Sequence, residues 1–118
     1  MDSRTALLVE DNPALLSGLR ELLEGAGLEV VGCGTFQDAK DYLQGHTPTV
    51  LVTDVRLGAY NGLHLVLLAR QRQSGLPVIV YSSHEDHALR EEAQAFGAVY
   101  LDKDQLLNDL VPSVLTVS

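Results

Sequence analysis

The stretch LVTDVRLGAYNG, residues 51–62, runs from three residues with little polar character to a lone aspartate and then into a loop. A run without polar alternation is buried on both faces, as strands of a parallel sheet are. A carboxylate at the end of such a strand is costly unless hydrogen bonds or a neighbouring cation offset its charge. The stretch therefore raises two questions: what sheet holds it, and what neutralises Asp54.

Four more runs of the same kind flank it: TALLVE (5–10), EVVGC (29–33), PVIVYS (77–82) and AVYLDK (98–103), with the opening run extending over 49–54. Helical patterns fill the intervals. Leu15, Leu16, Leu19, Leu22, Leu23 and Ala26 share one face of a first helix, with Asn12 as N-cap, Pro13 at the first helical position, and Gly25 and Gly27 closing it. Thr35 opens a second helix that ends near Gly45. Asn61 or Gly62 opens a third, with Leu63, Val66, Leu67 and Ala69 inward and a stop at Ser74 and Gly75. A fourth, from about Asp86 to Phe96, is mostly polar and is expected to pack weakly. The fifth starts near Asp104 and displays Leu106, Leu107, Leu110, Val111, Val114 and Leu115, and Pro112 is expected to kink or end it.

Strict alternation of strand and helix implies an α/β fold, a doubly wound five-stranded parallel sheet with helices on both faces. The order 2-1-3-4-5 (flavodoxin-like) is expected. It opens a crevice at the carboxyl ends of strands 1 and 3, where ligands of such sheets bind.

Composition narrows the function. The 118 residues make a single domain, 1–118, with sixteen acidic residues against eight basic ones and a formal net charge of -8. That charge repels nucleic acid and anionic membrane, so direct binding to either is not expected. No stretch approaches the about 20 apolar residues that span a bilayer, and MDSRTALLVE lacks the layout of a secretory signal. A cytoplasmic location is expected. Cys33 is the only cysteine, which excludes an intrachain disulfide and reads as a small core filler.

The strand ends carry the chemistry. Glu10 and Asp11 follow strand 1, Asp54 ends strand 3, Ser82 and Ser83 end strand 4, and Lys103 ends strand 5. In the expected order the three carboxylates converge, and their repulsion calls for a raised pKa or a bound cation. An oxygen-only site open to water suits Mg²⁺. Lys103 and Ser82 are suitable partners for phosphoryl oxygens. Singly, each residue has a structural reading: Asp11 at a helix start, Glu10 and Lys103 as surface charges, Ser82 in a turn. Together, all at carboxyl strand ends, they form a site for a carboxylate nucleophile taking a phosphoryl group with metal assistance.

LLVEDNP, LVTDVRLGAYNG, PVIVYSS and GAVYLDKD together resemble the receiver domain of two-component response regulators, the family of the chemotaxis regulator, and the likeness covers essentially the whole chain. The resemblance implies that Asp54 accepts a phosphoryl group from a histidine kinase, a phosphotransfer protein or a small phosphodonor. It implies that Glu10, Asp11, Asp54 and the backbone carbonyl of Arg56 hold Mg²⁺, or Mn²⁺ in its place. Ser82 and Lys103 would bind the phosphoryl oxygens, and Tyr100 would be the aromatic that moves as Ser82 shifts. The fourth helix, fifth strand and fifth helix would form the output face. Such a protein is a phosphoacceptor with slow autodephosphorylation at most, not an enzyme in the ordinary sense.

This chain departs from the family pattern in places. Asp104 stands where proline usually follows the lysine, and a cis bond without proline costs about 2.5–4 kcal/mol, so the Lys103–Asp104 bond is expected to be trans. Gly58 stands where proline is common, which suggests a more mobile loop. Arg56 and His84 occupy positions that flank the approach of water to the phosphoryl group and are expected to tune its lifetime. These departures keep a second reading open, a receiver-like domain working as a phosphorylation-independent dimerisation or docking module. A third, a phosphatase with an aspartyl nucleophile, needs a second acid where Arg56 stands. Val114, Leu115 and Val117 have no evident partner in the sequence, which suggests a longer protein or a homodimer through helices four and five, with a stand-alone receiver equally open.

Overall fold

The computed structural model describes residues 4–83 and 87–117. Five parallel strands, β1 (Thr5–Val9), β2 (Glu29–Cys33), β3 (Val50–Asp54), β6 (Val78–Ser82) and β7 (Val99–Asp102), form one sheet in the order β2-β1-β3-β6-β7. The expected winding is therefore present. Two short strands, β4 (Arg56–Leu57) and β5 (Tyr60–Asn61), add a small antiparallel ladder after β3.

Alternation along the strands divides the core in two. Ala6, Leu8, Val50, Val52, Ile79, Tyr81 and Leu101 face Leu19 and Leu23 of α1 (Pro13–Gly25) and Leu106, Leu110 and Val114 of α5 (Lys103–Val117). Leu7, Val9, Leu51, Val78 and Val80 face α2 (Phe36–Gly45), α3 (Gly62–Arg72) and Ala93 of α4 (His87–Ala95). Both faces of β3 and β6 are covered, which is why these strands read as unbroken apolar runs.

The caps follow the sequence. Asn12 Oδ1 accepts from the amides of Ala14 and Leu15 at 3.0 and 3.1 Å, Thr35 Oγ1 from Asp38 at 3.1 Å, and Asn61 Oδ1 from Leu63 at 2.8 Å. Each satisfies first-turn donors that the helix leaves unpaired. Cys33 is buried, and the burial raises its thiol pKa.

Three local expectations are corrected. α5 does not end at Pro112 but continues to Val117. Pro112 is on the solvent side, where water can satisfy the carbonyl it leaves unpaired, while Val114 and Val117 anchor the helix beyond it against the sheet. Val114 is thus a core residue with no need of an outside partner, and only Leu115 of the three is exposed. In α3 the inward residue is Leu65 and not Leu67, because Gly62, Leu65, Val66 and Ala69 follow the helical repeat on the sheet side. α4 has Ala93 as its one buried residue, as its polar pattern implies. The described residues contain no cis peptide bond, so Lys103–Asp104 is trans.

At Gly62 the backbone passes close against the end of β3. Its amide donates to the Val55 carbonyl at 2.6 Å, and a Cβ there would run into the carbonyl oxygen of Asp54. Gly18, within α1, has open space where a Cβ would stand. Gly62→Ala is expected to destabilise the fold by about 1–3 kcal/mol through forced displacement of the β3 end. Gly18→Ala is expected to stabilise it by about 0.5–1 kcal/mol through helix propensity. Urea unfolding of the two variants checks both signs.

Candidate functional site

The parallel sheet brings the carboxyl ends of β1, β3 and β7 to one edge, and with them Glu10, Asp11, Asp54 and Lys103. One carboxylate oxygen from each of Glu10, Asp11 and Asp54 lies within 4.8 Å of the others. Glu10 and Asp54 are buried and Asp11 is exposed, so the cluster opens to solvent on one side.

Every carboxylate is oriented. Asp54 Oδ1 accepts from the Arg56 amide at 3.0 Å, and Asp54 Oδ2 accepts from Lys103 Nζ at 3.1 Å. Asp11 Oδ2 accepts from the Gly58 amide at 3.3 Å. Glu10 Oε2 accepts from the Asn12 amide at 2.9 Å, and Glu10 Oε1 from the Tyr81 hydroxyl at 2.9 Å. Lys103 Nζ stands 3.9 Å from Glu10 Oε1. One ammonium thus stands within 4 Å of two of the three carboxylates.

Burial pushes the Glu10 carboxyl above its ordinary value, and the nearby Asp54 adds to the rise, against the opposing hydrogen bonds from Asn12 and Tyr81. Burial also raises the Tyr81 phenol well above its usual range, reinforced by the Glu10 charge, so the phenol keeps its proton and is the donor in that pair. An excess of oxygen ligands with one open side fits Mg²⁺, which takes a few carboxylates and keeps part of its water.

Gly58 has φ +61° and is the first of the two residues joining β4 to β5, a reversal that calls for glycine. The loop contains a tight turn, and the Gly58 amide in it reaches Asp11. Tyr60 stacks on Phe36 at the start of α2, with ring centroids 4.7 Å apart, and ties this turn to the body of the domain.

Ser82 ends β6 and is buried. Tyr100 is half-buried on β7, paired in register with Val80, and the Arg90 guanidinium lies 5.2 Å from its ring centroid. Arg90 also pairs with Asp102 at 3.5 Å, joining α4 to β7. Arg56 is exposed. His84 lies outside the described residues. Sequence reasoning missed Tyr81. The signal was there: in VIVYS, residue 81 shares the sheet face of Ile79 and pairs in register with Asp54.

Residues 6–114 match the response regulator receiver domain family, and the chain belongs to that family. It is a receiver domain of two-component signalling, the phosphorylation-switched module of response regulators. Receiver domains are phosphoacceptors that generally bind Mg²⁺ at an acidic pocket and interact with histidine kinases or phosphotransfer proteins. Among its relatives is the C4-dicarboxylate transport transcriptional regulatory protein DctD of Pseudomonas aeruginosa, 33% identical over 96% of this chain and 25% of that protein. The transcriptional regulatory protein FixJ of Bradyrhizobium diazoefficiens is 31% identical over 92% of this chain and 55% of its own length. The chain thus spans between about a quarter and about half of these curated relatives. A response regulator receiver protein from Sinorhizobium medicae has the same fold, with TM-score 0.90 and 23% identity over 98% of this chain and 94% of that one. So does the chemotaxis response regulator CheY4 of Vibrio cholerae, with TM-score 0.87 and 21% identity over 99% and 100%. No helix among the described residues is long and apolar enough to cross a membrane.

The raised Glu10 pKa gives a pH prediction for the chain in chelator. Between the ordinary value of 4.5 and the raised one, the folded chain holds a proton that the unfolded chain has lost. The stability that Glu10 contributes is therefore full below 4.5 and is lost as pH rises through the raised value. Urea unfolding across this range is expected to show Glu10→Gln gaining on wild type as pH rises; a constant difference contradicts it.

Proposed function

We propose that Asp54 is the phosphoacceptor. One observation carries this reading: Asp54, buried at the end of β3, has Lys103 Nζ at 3.1 Å from Oδ2 and two further carboxylates close by. A nucleophile, a fixed cation and a place for a mobile one are thus assembled on one edge. Transfer from phosphohistidine breaks its P–N bond and forms a P–O bond to a carboxylate oxygen of Asp54, giving an acyl phosphate and neutral histidine.

Glu10, Asp11, Asp54 and the backbone carbonyl of Arg56 would hold Mg²⁺, or Mn²⁺, which supplies charge neutralisation for the incoming phosphoryl oxygens. Lys103 meets a phosphoryl oxygen as a point charge, and the Ser82 hydroxyl offers a hydrogen bond. The phosphodonor is a histidine kinase or phosphotransfer protein, and residues 1–118 act as one receiver domain. Tyr100 and Ser82 carry the change to the face made by α4, β7 and α5, which controls an output partner or effector domain and provides a surface for a homodimer. The weak anchorage of α4 suits a switch element, since moving it disturbs little buried surface. The docking-module reading is not favoured, because a scaffold has no use for a buried nucleophile with an oriented lysine. The net charge of -8 argues against direct contact with nucleic acid or an anionic membrane, and a cytoplasmic location accords with the phosphodonor.

Arg56, exposed beside Asp54, and His84 tune the lifetime of the acyl phosphate, Arg56 through charge and bulk and His84 with a pH dependence near neutrality. Incubation with Mg²⁺ and an acyl-phosphate donor is expected to add one phosphoryl group by intact-mass measurement, and none in Asp54→Asn. An adduct that survives Asp54→Asn refutes the assignment. Dephosphorylation of Arg56→Ala and His84→Ala is expected to differ in rate from wild type across pH 6–8.

A further inference from the structure

Tyr81 is fully buried, and its ring packs in the half of the core shared with α1 and α5. Phenylalanine would fill that space equally well. A phenol instead brings a polar group whose burial without a partner costs about 1–3 kcal/mol. The hydroxyl finds its partner at the acidic cluster, donating to Glu10 Oε1 at 2.9 Å with the Val9 carbonyl oxygen at 3.5 Å. The other oxygen of that carboxylate is held by the Asn12 amide. Glu10 is clamped at both oxygens by donors from different elements, one on β6 and one at the start of α1.

We propose that Tyr81 is a positioning residue for the metal centre, fixing the Glu10 carboxylate in the orientation that Mg²⁺ requires. This rests on the reading of Glu10, Asp11 and Asp54 as the ion's ligands. Each carboxylate oxygen has two lone pairs, so accepting from Tyr81 leaves capacity for an ion. The terminal torsion of a glutamate is broad and soft, and hydrogen bonds from outside the ligand set are what hold a ligating carboxylate in place. Here the clamp also settles a competition. The Lys103 ammonium stands 3.9 Å from Glu10 Oε1 and 5.9 Å from the centroid of the Tyr81 ring. Without the hydroxyl, the Asn12 amide alone holds the carboxylate, and Oε1 can turn to Lys103, which removes a ligand and diverts the lysine from Asp54.

The ion's own demands provide the test. Mg²⁺ requires near-ideal octahedral geometry, whereas Ca²⁺ tolerates irregular ligand sets. Isothermal titration of wild type and Tyr81→Phe with each ion, with the fold checked by circular dichroism, is expected to show Mg²⁺ affinity falling about tenfold or more. Ca²⁺ affinity is expected to change much less. Equal losses for both ions mean general damage and overturn the proposal, as does a Mg²⁺ affinity within about twofold of wild type. A wild-type chain that takes up no Mg²⁺ at millimolar concentration overturns the ligand reading and this inference with it. Should Tyr81→Phe not fold, the Cζ resonance of Tyr81 in the wild-type chain decides. It is expected to move on addition of Mg²⁺ and to stay still in Asp11→Asn at the same concentration; a resonance that ignores Mg²⁺ in wild type refutes the proposal.

Discussion

A parallel sheet delivers every strand's carboxyl end to the same edge, and in this chain three carboxylates and one lysine meet there. The contact from Lys103 to Asp54 is the interaction on which the rest is arranged. Its arithmetic is close: an ion pair near a protein surface gains about 4 kcal/mol at 4 Å, while each ion withdrawn from water costs several. One lysine shared between Asp54 and Glu10 therefore cannot balance three carboxylates. The surrounding donors, the amides of Asn12, Arg56 and Gly58 and the Tyr81 hydroxyl, each take up one further oxygen. The edge is thus built to accept a further cation, and its polar order comes as much from backbone amides as from side chains.

Much of this was legible before any coordinates. Continuous apolar runs with polar last residues describe both the doubly covered sheet and the edge where chemistry collects. Glu10, Asp11, Asp54 and Lys103 could be found because strand ends are where a one-dimensional pattern maps most directly onto space. What escaped depended on lateral neighbours. Tyr81 looks like one more apolar strand residue until the register sets it opposite Asp54 and its hydroxyl is seen to reach β1. Gly62 looks like an ordinary helix start until the Asp54 carbonyl is found against it.

The remaining differences have the same origin. Pro112 in isolation is a helix breaker, but here it lies on the solvent side, and Val114 and Val117 pack on the sheet beyond it. Leu65 and Leu67, two positions apart, lie on nearly opposite sides of α3, and only packing against the sheet decides which of two equally apolar residues joins Val66 and Ala69 inside. Gly58 was read as the absence of a proline, whereas its positive φ makes a turn that delivers an amide to Asp11.

The junction of β7 and α5 has no linker: Asp102 is the last residue of the strand and Lys103 the first of the helix. Lys103 reaches Asp54, and Asp102, one peptide bond away, reaches Arg90 of α4. The acidic edge and the outer helix are therefore tied to one stretch of backbone, by side chains of two consecutive residues.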